Sequence, residues 1–559
     1  MSMMRRLLIL LTATVLVLPA ANAAGAQRLY VAGAAPGEFR VAGSSVGSDG
    51  ALAQIDSASA GTDPLLGSAI SPDGRNLYVA SAGSGLRSFG LAENGSVTPA
   101  AGDAGPANLL GVVVTPDGRF VYAVEGGAGG GVRAWSRGSD GVLTTLGAGS
   151  DYAGATGIAI APDGRHLFAT SLTAGTVRPF TIGTDGALTP GAALPAGANP
   201  VSTAISPDGR FLYVGSMGGD AIRTYAIAAD GSLSQVGGSQ PTAGTGPYDL
   251  LVTPDGHYLY VANVGTGGIG GIGRFTLAAD GSPTMGIPDV PTNGSPMGLA
   301  VNSAGKWLYA NDSSAPQVFG FSLAGAVPTA LAGSPFDVGV EGQLGGSVAL
   351  TPDRPPVAAF TTAVNNRRVS FDALGTSDPD GDLVGRYDWD FGDGTTAANG
   401  GAQLTRRYGK GKKHPPVTLT VADDSGCSTA FVSAGHTPYC NGSDAATVTM
   451  TPFAPKFLGK PRQRAARVVK LRLRCPAECR VKVVGRVKLS GKGVRAKKTK
   501  VKGTSKRLRA GQKRTLKLRL SERGVRLAGE ATQAVARLKV SATDDAGNLF
   551  KDRHGIRLR

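Results

Sequence analysis

Three aspartates alternate in Ser377-Asp378-Pro379-Asp380-Gly381-Asp382. Carboxylates at every second position suit a hard cation such as calcium, which takes several oxygen ligands at close range. The same spacing suits a turn in which aspartates accept backbone hydrogen bonds locally. The four cysteines fall in two close pairs, Cys427 with Cys440 and Cys475 with Cys479. In an exported chain such pairs form local disulfides; a zinc site built from the same thiolates is the alternative. Of the five histidines, only His166 and His257 lie in the first 353 residues. A general acid or base must come within hydrogen-bond reach of its substrate, and no convergent acid–base pair is visible in the spacing.

The elements that must position these residues are set by a repeat. SPDGRNLYVA begins at Ser71, TPDGRFVYAV at Thr115, APDGRHLFAT at Ala161, SPDGRFLYVG at Ser206, TPDGHYLYVA at Thr253 and NSAGKWLYAN at Asn302. A period of 44 to 49 residues with two turn signals per unit predicts a β-propeller. In each unit a short apolar strand leads to the P-D-G turn, whose residues tolerate tight backbone geometry. An L-Y-V-type strand rich in β-formers follows. A third strand carries apolar–Arg–x–aromatic, with Arg87, Arg133, Arg178 and Arg223. A second turn (Asp49-Gly50, Asn94-Gly95, Asp140-Gly141, Asp185-Gly186, Asp230-Gly231, Asp280-Gly281) leads to the outer strand. Seven L-Y-V-type strands occur, from Leu29 to Leu308. The first lacks an inner strand before it, and Ser347–Asp353 is an inner strand with nothing after it. The two halves complete one blade, which removes an exposed sheet edge.

These phrases resemble the seven-bladed lactonase family, which includes propeller-type 6-phosphogluconolactonases, and YVTN-repeat surface proteins. The resemblance covers roughly residues 27–353. It implies an active site on the face that carries the loops before each inner strand and after each L-Y-V strand, with His, Arg and Glu. Glu125 matches the family glutamate position, and Asn263, Asn311 and Asp312 occupy similar places in other blades. The phrases nearest the family's histidine motif are Gly105-Pro106-Ala107-Asn108 and Gly246-Pro247-Tyr248-Asp249, and both lack the histidine. His166 and His257 flank P-D-G turns on the other face. The expected ligand face is therefore Glu125, Tyr248, Asp249, Asn263, Asn311 and Asp312, with Glu125 catalytic if the protein is a lactonase. The repeated arginines are expected to pair with turn carboxylates rather than form an anion-binding ring.

Composition shifts at Pro352-Asp353-Arg354-Pro355-Pro356. The phrase Trp389-Asp390-Phe391-Gly392-Asp393-Gly394 resembles the PKD domain, a small Ig-like sandwich. Trp389 and Phe391 alternate as one buried strand face demands. From Phe453 onward basic and apolar residues alternate, as in Val468–Arg474 and Leu516–Leu520, predicting strands with one apolar and one basic face. Residues 453–559 hold 33 Lys/Arg and 6 Asp/Glu, a balance of +27, leaving −10 for the rest of a chain whose total is +17.

The expected architecture is all-β: a seven-bladed propeller over 24–353, a PKD domain over 354–452 and a basic Ig-like sandwich over 453–559. Residues 1–23 read as a secretory signal, with Arg5-Arg6, an apolar stretch Leu7–Leu18 and Ala21-Asn22-Ala23. No later stretch is apolar and long enough for a membrane span. The resulting expectation is a secreted or cell-surface binding or adhesion protein. Its propeller takes a polymer or protein ligand, and its tail holds an anionic cell-wall polymer or polysaccharide. Scarce aromatics in the tail argue against base stacking and hence nucleic acid. No cofactor is expected; calcium at Asp378, Asp380 and Asp382 is the alternative to a locally hydrogen-bonded turn. An extracellular lactonase is the alternative.

Overall fold

A computed structural model describes residues 27–558, except 101–104, 148, 243, 268, 343–346, 381–382, 410–414, 424–444 and 491–497. It divides into two compact units at Asp353/Arg354.

The first unit is a propeller of seven blades. Blade 2 is representative: inner strand Leu65–Ile70, second strand Asn76–Ser81, third strand Gly85–Leu91 and outer strand Val97–Pro99, each hydrogen-bonded to the next. The inner strands of blades 3 to 7 are Leu109–Val114, Ala155–Ile160, Pro200–Ile205, Pro247–Val252 and Pro296–Val301. Blade 1 closes the ring as expected. Its second strand Arg28–Ala35 pairs antiparallel with Val348–Leu350 from the far end of the repeat, Leu29 opposite Leu350 and Val31 opposite Val348. The apolar core lies between neighbouring blades: Tyr78, Ala80 and Leu86 of blade 2 pack with Leu109, Val121 and Trp135 of blade 3.

The repeated phrase is a set of local hydrogen bonds. Ser71 Oγ donates to Asp73 at 2.5 Å, Asp73 Oδ1 accepts the Arg75 amide at 3.1 Å, and Ser71 Oγ accepts the Asn76 amide at 3.0 Å. Thr115/Asp117, Ser206/Asp208 and Thr253/Asp255 repeat the hydroxyl–carboxylate bond. Gly74 follows at φ +68°, a left-handed conformation that favours glycine. In blade 4, Ala161 supplies no hydroxyl, and His166 Nδ1 bonds Asp163 at 2.7 Å instead.

The tyrosine of L-Y-V and the glycine of the second turn recur for a shared reason. Tyr78, Tyr122, Tyr213 and Tyr309 each donate a hydroxyl to a turn glycine of the next blade: Gly141 O, Gly186 O, Gly281 O and Gly50 O, at 2.7 to 3.0 Å. The last of these joins blade 7 to blade 1, next to the closure. Tyr309→Phe is expected to lower unfolding free energy by about 1–2 kcal/mol, because it strands a buried carbonyl. The hydroxyl of Tyr30 makes no hydrogen bond among the described residues, and burial pushes its pKa up to about 12. Tyr30→Phe is therefore expected to be neutral or stabilising, and thermal denaturation of the two variants checks the difference.

The second unit begins at Arg354. Trp389 and Phe391 are buried with Phe360 and Phe371, ring centroids 5.2 to 5.8 Å apart along the cluster. Trp389 Nε1 donates to Gly401 O at 3.0 Å. One sheet holds Thr396–Ala397, Val384–Asp390, Val417–Asp423 and Ala445–Met450. The other continues beyond the expected domain boundary: Thr361–Asn365 pairs in parallel with Leu549–Leu558, which pairs with Gln533–Asp544, and that strand with Cys479–Ser490. Asn548 Oδ1, in the turn before the last strand, accepts both the amide and the hydroxyl of Thr362. The PKD strands and the basic tail thus share a sheet and a core. A helix not anticipated from the alternation, Glu522–Glu530, is capped by Ser521, whose Oγ accepts the Gly524 amide. No described helix is long and apolar enough to cross a membrane. Residues 1–23 lie outside the described residues.

Candidate site on the propeller loop face

Strand register makes seven positions equivalent at the loop-face end of the second strands: Gly33, Ser81, Glu125, Ser171, Ser216, Asn263 and Asp312. Most close local structure. Ser81 Oγ accepts the Gly83 and Ser84 amides, and Ser171 Oγ donates to Ala153 O. Asp312 accepts the amides of Ser295 and Ser314, the Ser314 hydroxyl and the Gln317 amide. Burial raises its pKa, but these donors outweigh burial and hold the carboxyl below its usual range.

Three of the expected ligand-face residues accept hydrogen bonds from neighbouring backbone N–H groups. Asp312 is a buried loop clamp. Asn311 Oδ1 accepts the Gly298 amide at 2.7 Å across the bulge between inner and second strands. In blade 4, Thr170 does the same for Gly157. Asp249 is 3% exposed, its Oδ2 accepting the Leu299 amide of blade 7 and its Oδ1 the Leu250 amide. The physical reason is shared: a bulged inner strand leaves backbone N–H groups without ladder partners, and short polar side chains satisfy them. Tyr248 is half-buried, and burial raises the pKa of its hydroxyl.

Glu125 is held by an arginine. Arg133 Nε and a terminal nitrogen lie 2.6 and 2.5 Å from Glu125 Oε2, both side chains mostly buried. The repeated arginines are used differently from blade to blade. Arg87 lies 3.4 Å from Asp63, whereas Arg178 stacks over the Tyr152 ring at 4.6 Å. Arg223 has no ion-pair partner among the described residues.

Blade 6 breaks the pattern. Its third strand, Ile269–Leu277, has Gly273 after the apolar Ile272, where blades 2 to 5 place arginine, blade 1 Ala42 and blade 7 Phe319. Asp289, from the outer strand Pro283–Pro291, comes close to that position: a Cβ on Gly273 would meet Asp289 Oδ1 at 2.9 Å and Asn263 Nδ2 at 3.3 Å. Asn263 Nδ2 donates to Asp289 Oδ2 at 2.7 Å. The remaining oxygens, Asn263 Oδ1 and Asp289 Oδ1, are buried with no hydrogen-bond partner among the described residues. Burial raises the Asp289 pKa against the lowering effect of Asn263. A half-buried carboxyl with a raised pKa, beside an unpartnered amide oxygen, can hold a water or hydroxyl and accept its proton. Asp289 was not anticipated from the sequence; the signal for it was a glycine at the position where blades 2 to 5 carry arginine.

Elsewhere, Asp380 is neutralised by Arg354, whose Nε and terminal nitrogen lie 3.1 and 2.9 Å from Oδ1, and Asp378 Oδ1 accepts the Asp380 amide. The arginine supplies the positive charge at Asp380, in keeping with a turn whose aspartates bond locally. Asp382 lies outside the described residues, and no group of three metal-ligating side chains occurs among those described. Cys475 and Cys479 form a disulfide. Cys427 and Cys440 lie outside the described residues.

Residues 81–263 match the family model of the lactonase 7-bladed β-propeller, and 353–437 that of the PKD domain. Among solved structures, the chain is similar to a candidate 6-phosphogluconolactonase of Bacteroides uniformis (20% identity, 58% of this chain and 99% of that one, TM-score 0.49). It is also similar to the periplasmic gluconolactonase of Pseudomonas aeruginosa (19%, 58% and 99%, 0.47). A third is a protein of unknown function from Desulfotomaculum acetoxidans (20%, 58% and 98%, 0.46).

Proposed function

We propose that this chain, which carries a lactonase-type seven-bladed propeller followed by a PKD domain, is a lactone hydrolase acting on the loop face of blade 6. The observation that carries the reading is the Asp289–Asn263 pair with its two unpartnered oxygens, in a propeller whose central blades match the lactonase model. A water admitted at the half-buried Asp289 carboxylate gives it a proton while its oxygen attacks the lactone carbonyl. The ring C–O bond then breaks, and the leaving ring oxygen takes the proton back from Asp289. One lactone and one water become one hydroxy acid, which releases a proton on ionising at neutral pH.

The experiment follows proton release by the full chain over a panel of sugar and aliphatic lactones. Turnover on at least one lactone is expected. Glu125→Gln is expected to retain most of that rate, because its carboxylate is already engaged by Arg133. Loss of turnover in Glu125→Gln, with Asp289→Asn still active, would move the reaction to blade 3.

A binding platform without catalysis, exported and spaced from a cell envelope by the second unit, is the second reading. It is favoured by the internal engagement of Asp249, Asn311 and Asp312, which leaves few polar groups for chemistry. A flat trace on every lactone would establish it over hydrolysis.

A further inference from the structure

The strongest unassigned feature lies in the basic tail, independent of the lactonase reading. Strands Cys479–Ser490, Lys498–Leu508, Gln533–Asp544 and Leu549–Leu558 present an exposed sheet face with a hollow of about 800 Å³. Register places Arg486 directly opposite Lys500 on one side and Arg537 on the other. Lys488 faces Lys498, and Lys539 faces Arg553. Like charges directly opposite on neighbouring strands destabilise a sheet. Acidic residues do not relieve them. Among the six carboxylates of residues 453–559, Glu478 and Asp545 pair with Arg507, Glu522 with Arg467 and Glu530 with Arg526. Asp544 accepts from Asn548, and Asp552 accepts the Arg553 amide. None lines the hollow, and its lysines and arginines have no ion pair among the described residues.

The floor of the hollow is apolar. Val484 is 42% exposed there and Val535 partly so, above the buried Val501 and Leu538. A bulge at Val483/Gly485 breaks the regular register beneath it, and bulges bend the strand that carries them. Gly485 is required: a Cβ would lie 2.6 Å from Leu538 Cδ2 and 2.9 Å from Arg537 O. The only ring in the lining, His554, is already stacked on Phe457 at 4.4 Å.

We propose that this hollow binds an acidic polysaccharide of the polyuronate kind. Its carboxylates fall between the opposed cations, relieving their repulsion, and the C–H faces of its pyranose rings lie on Val484 and Val535. Chains of bare phosphate have no apolar face to use that floor. Single-stranded nucleic acid would want free aromatic rings for stacking, and the lining offers none.

The test uses the full chain and a fluorescent oligogalacturonate followed by anisotropy. Binding is expected at low salt and is expected to weaken as ionic strength rises. Arg486→Gln with Arg537→Gln is expected to raise Kd about tenfold, as loss of two partly exposed pairings would. The control, Lys470→Gln with Lys517→Gln, removes an opposed exposed pair outside the hollow and is expected to change Kd by less than about twofold. The first double variant is also expected to melt no lower than the parent, because it removes a repulsion; a lower melting point would contradict the like-charge argument. Equal weakening in both double variants would overturn the proposal. So would equal binding of neutral dextran, displacement by duplex DNA at lower concentration than by unlabelled polygalacturonate, or no binding.

Discussion

Replacing Asp289 by asparagine is expected to lower lactone turnover by about 10²- to 10⁴-fold, the range for loss of a positioned general base, without lowering the stability of the propeller. The two halves of this expectation come from one cause. Burial raises the Asp289 pKa, so the folded state favours the protonated carboxyl. The sign follows: such a group adds stability below its unfolded pKa, and that contribution is lost as pH rises through the folded value. At neutral pH the ionised form is the disfavoured one in the fold, and the neutral amide of asparagine removes that cost. Catalysis needs the ionised form, so the rate is expected to fall as pH drops through a value above the ordinary carboxylate range. An acid limb inside the ordinary range, or one unchanged in Asp289→Asn, would assign the base elsewhere. Asn263→Ala, which removes the amide hydrogen bond holding Oδ2, is expected to move the limb to higher pH, because that bond lowers the Asp289 pKa. A merely structural asparagine would leave the limb in place.

Legibility divided along a physical line. The proline and glycine of the P-D-G turn, the alternating strands and the unpaired strands at the two ends are local signals, and the propeller and its closure follow from them. Trp389 and Phe391 declared a buried strand face in the same way. The site did not follow, because a side chain's type does not reveal who else needs it. Asp249, Asn311 and Asp312 are polar residues at loop-face positions, but bulges in the inner strands expose backbone N–H groups that these side chains satisfy. Glu125 sits at the anticipated position and faces an arginine eight residues on in the next strand, a pairing that needs the hairpin register to be seen. Asp289 was invisible from its own surroundings: Gly286-Ile287-Pro288-Asp289-Val290 carries no motif. Only the side chain missing at Gly273, where blades 2 to 5 carry arginine, pointed toward it. The continuity of the PKD and tail sheets was likewise illegible, since it rests on a parallel pairing between strands nearly 190 residues apart, Ala363 with Leu549.

Asp249→Ala is expected to destabilise the propeller by about 2–4 kcal/mol, from loss of hydrogen bonds to a charged group and an orphaned buried amide. Its place in the inner strands explains the size. The equivalent residues in blades 2, 3, 4 and 7 are Gly67, Gly111, Gly157 and Gly298. A Cβ on Gly67 would lie 2.7 Å from Leu110 O, and one on Gly157 2.8 Å from Val201 O, both on the next blade. Neighbouring inner strands therefore approach backbone to backbone at those seams. At the seam between blades 6 and 7, a carboxylate spans the gap and accepts the fully buried Leu299 amide at 2.8 Å. Alanine removes the acceptor and leaves that N–H with no replacement, while water has little access to it. Asp249→Asn keeps one carbonyl oxygen at the same reach and is expected to recover part of the loss. Thermal and chemical denaturation of the three chains measures this order. Catalysis provides the opposing readout: if Asp249 only joins blades, the folded fraction of Asp249→Asn keeps the parent KM on any lactone that turns over. A raised KM with an unchanged melting point would instead return Asp249 to the ligand face.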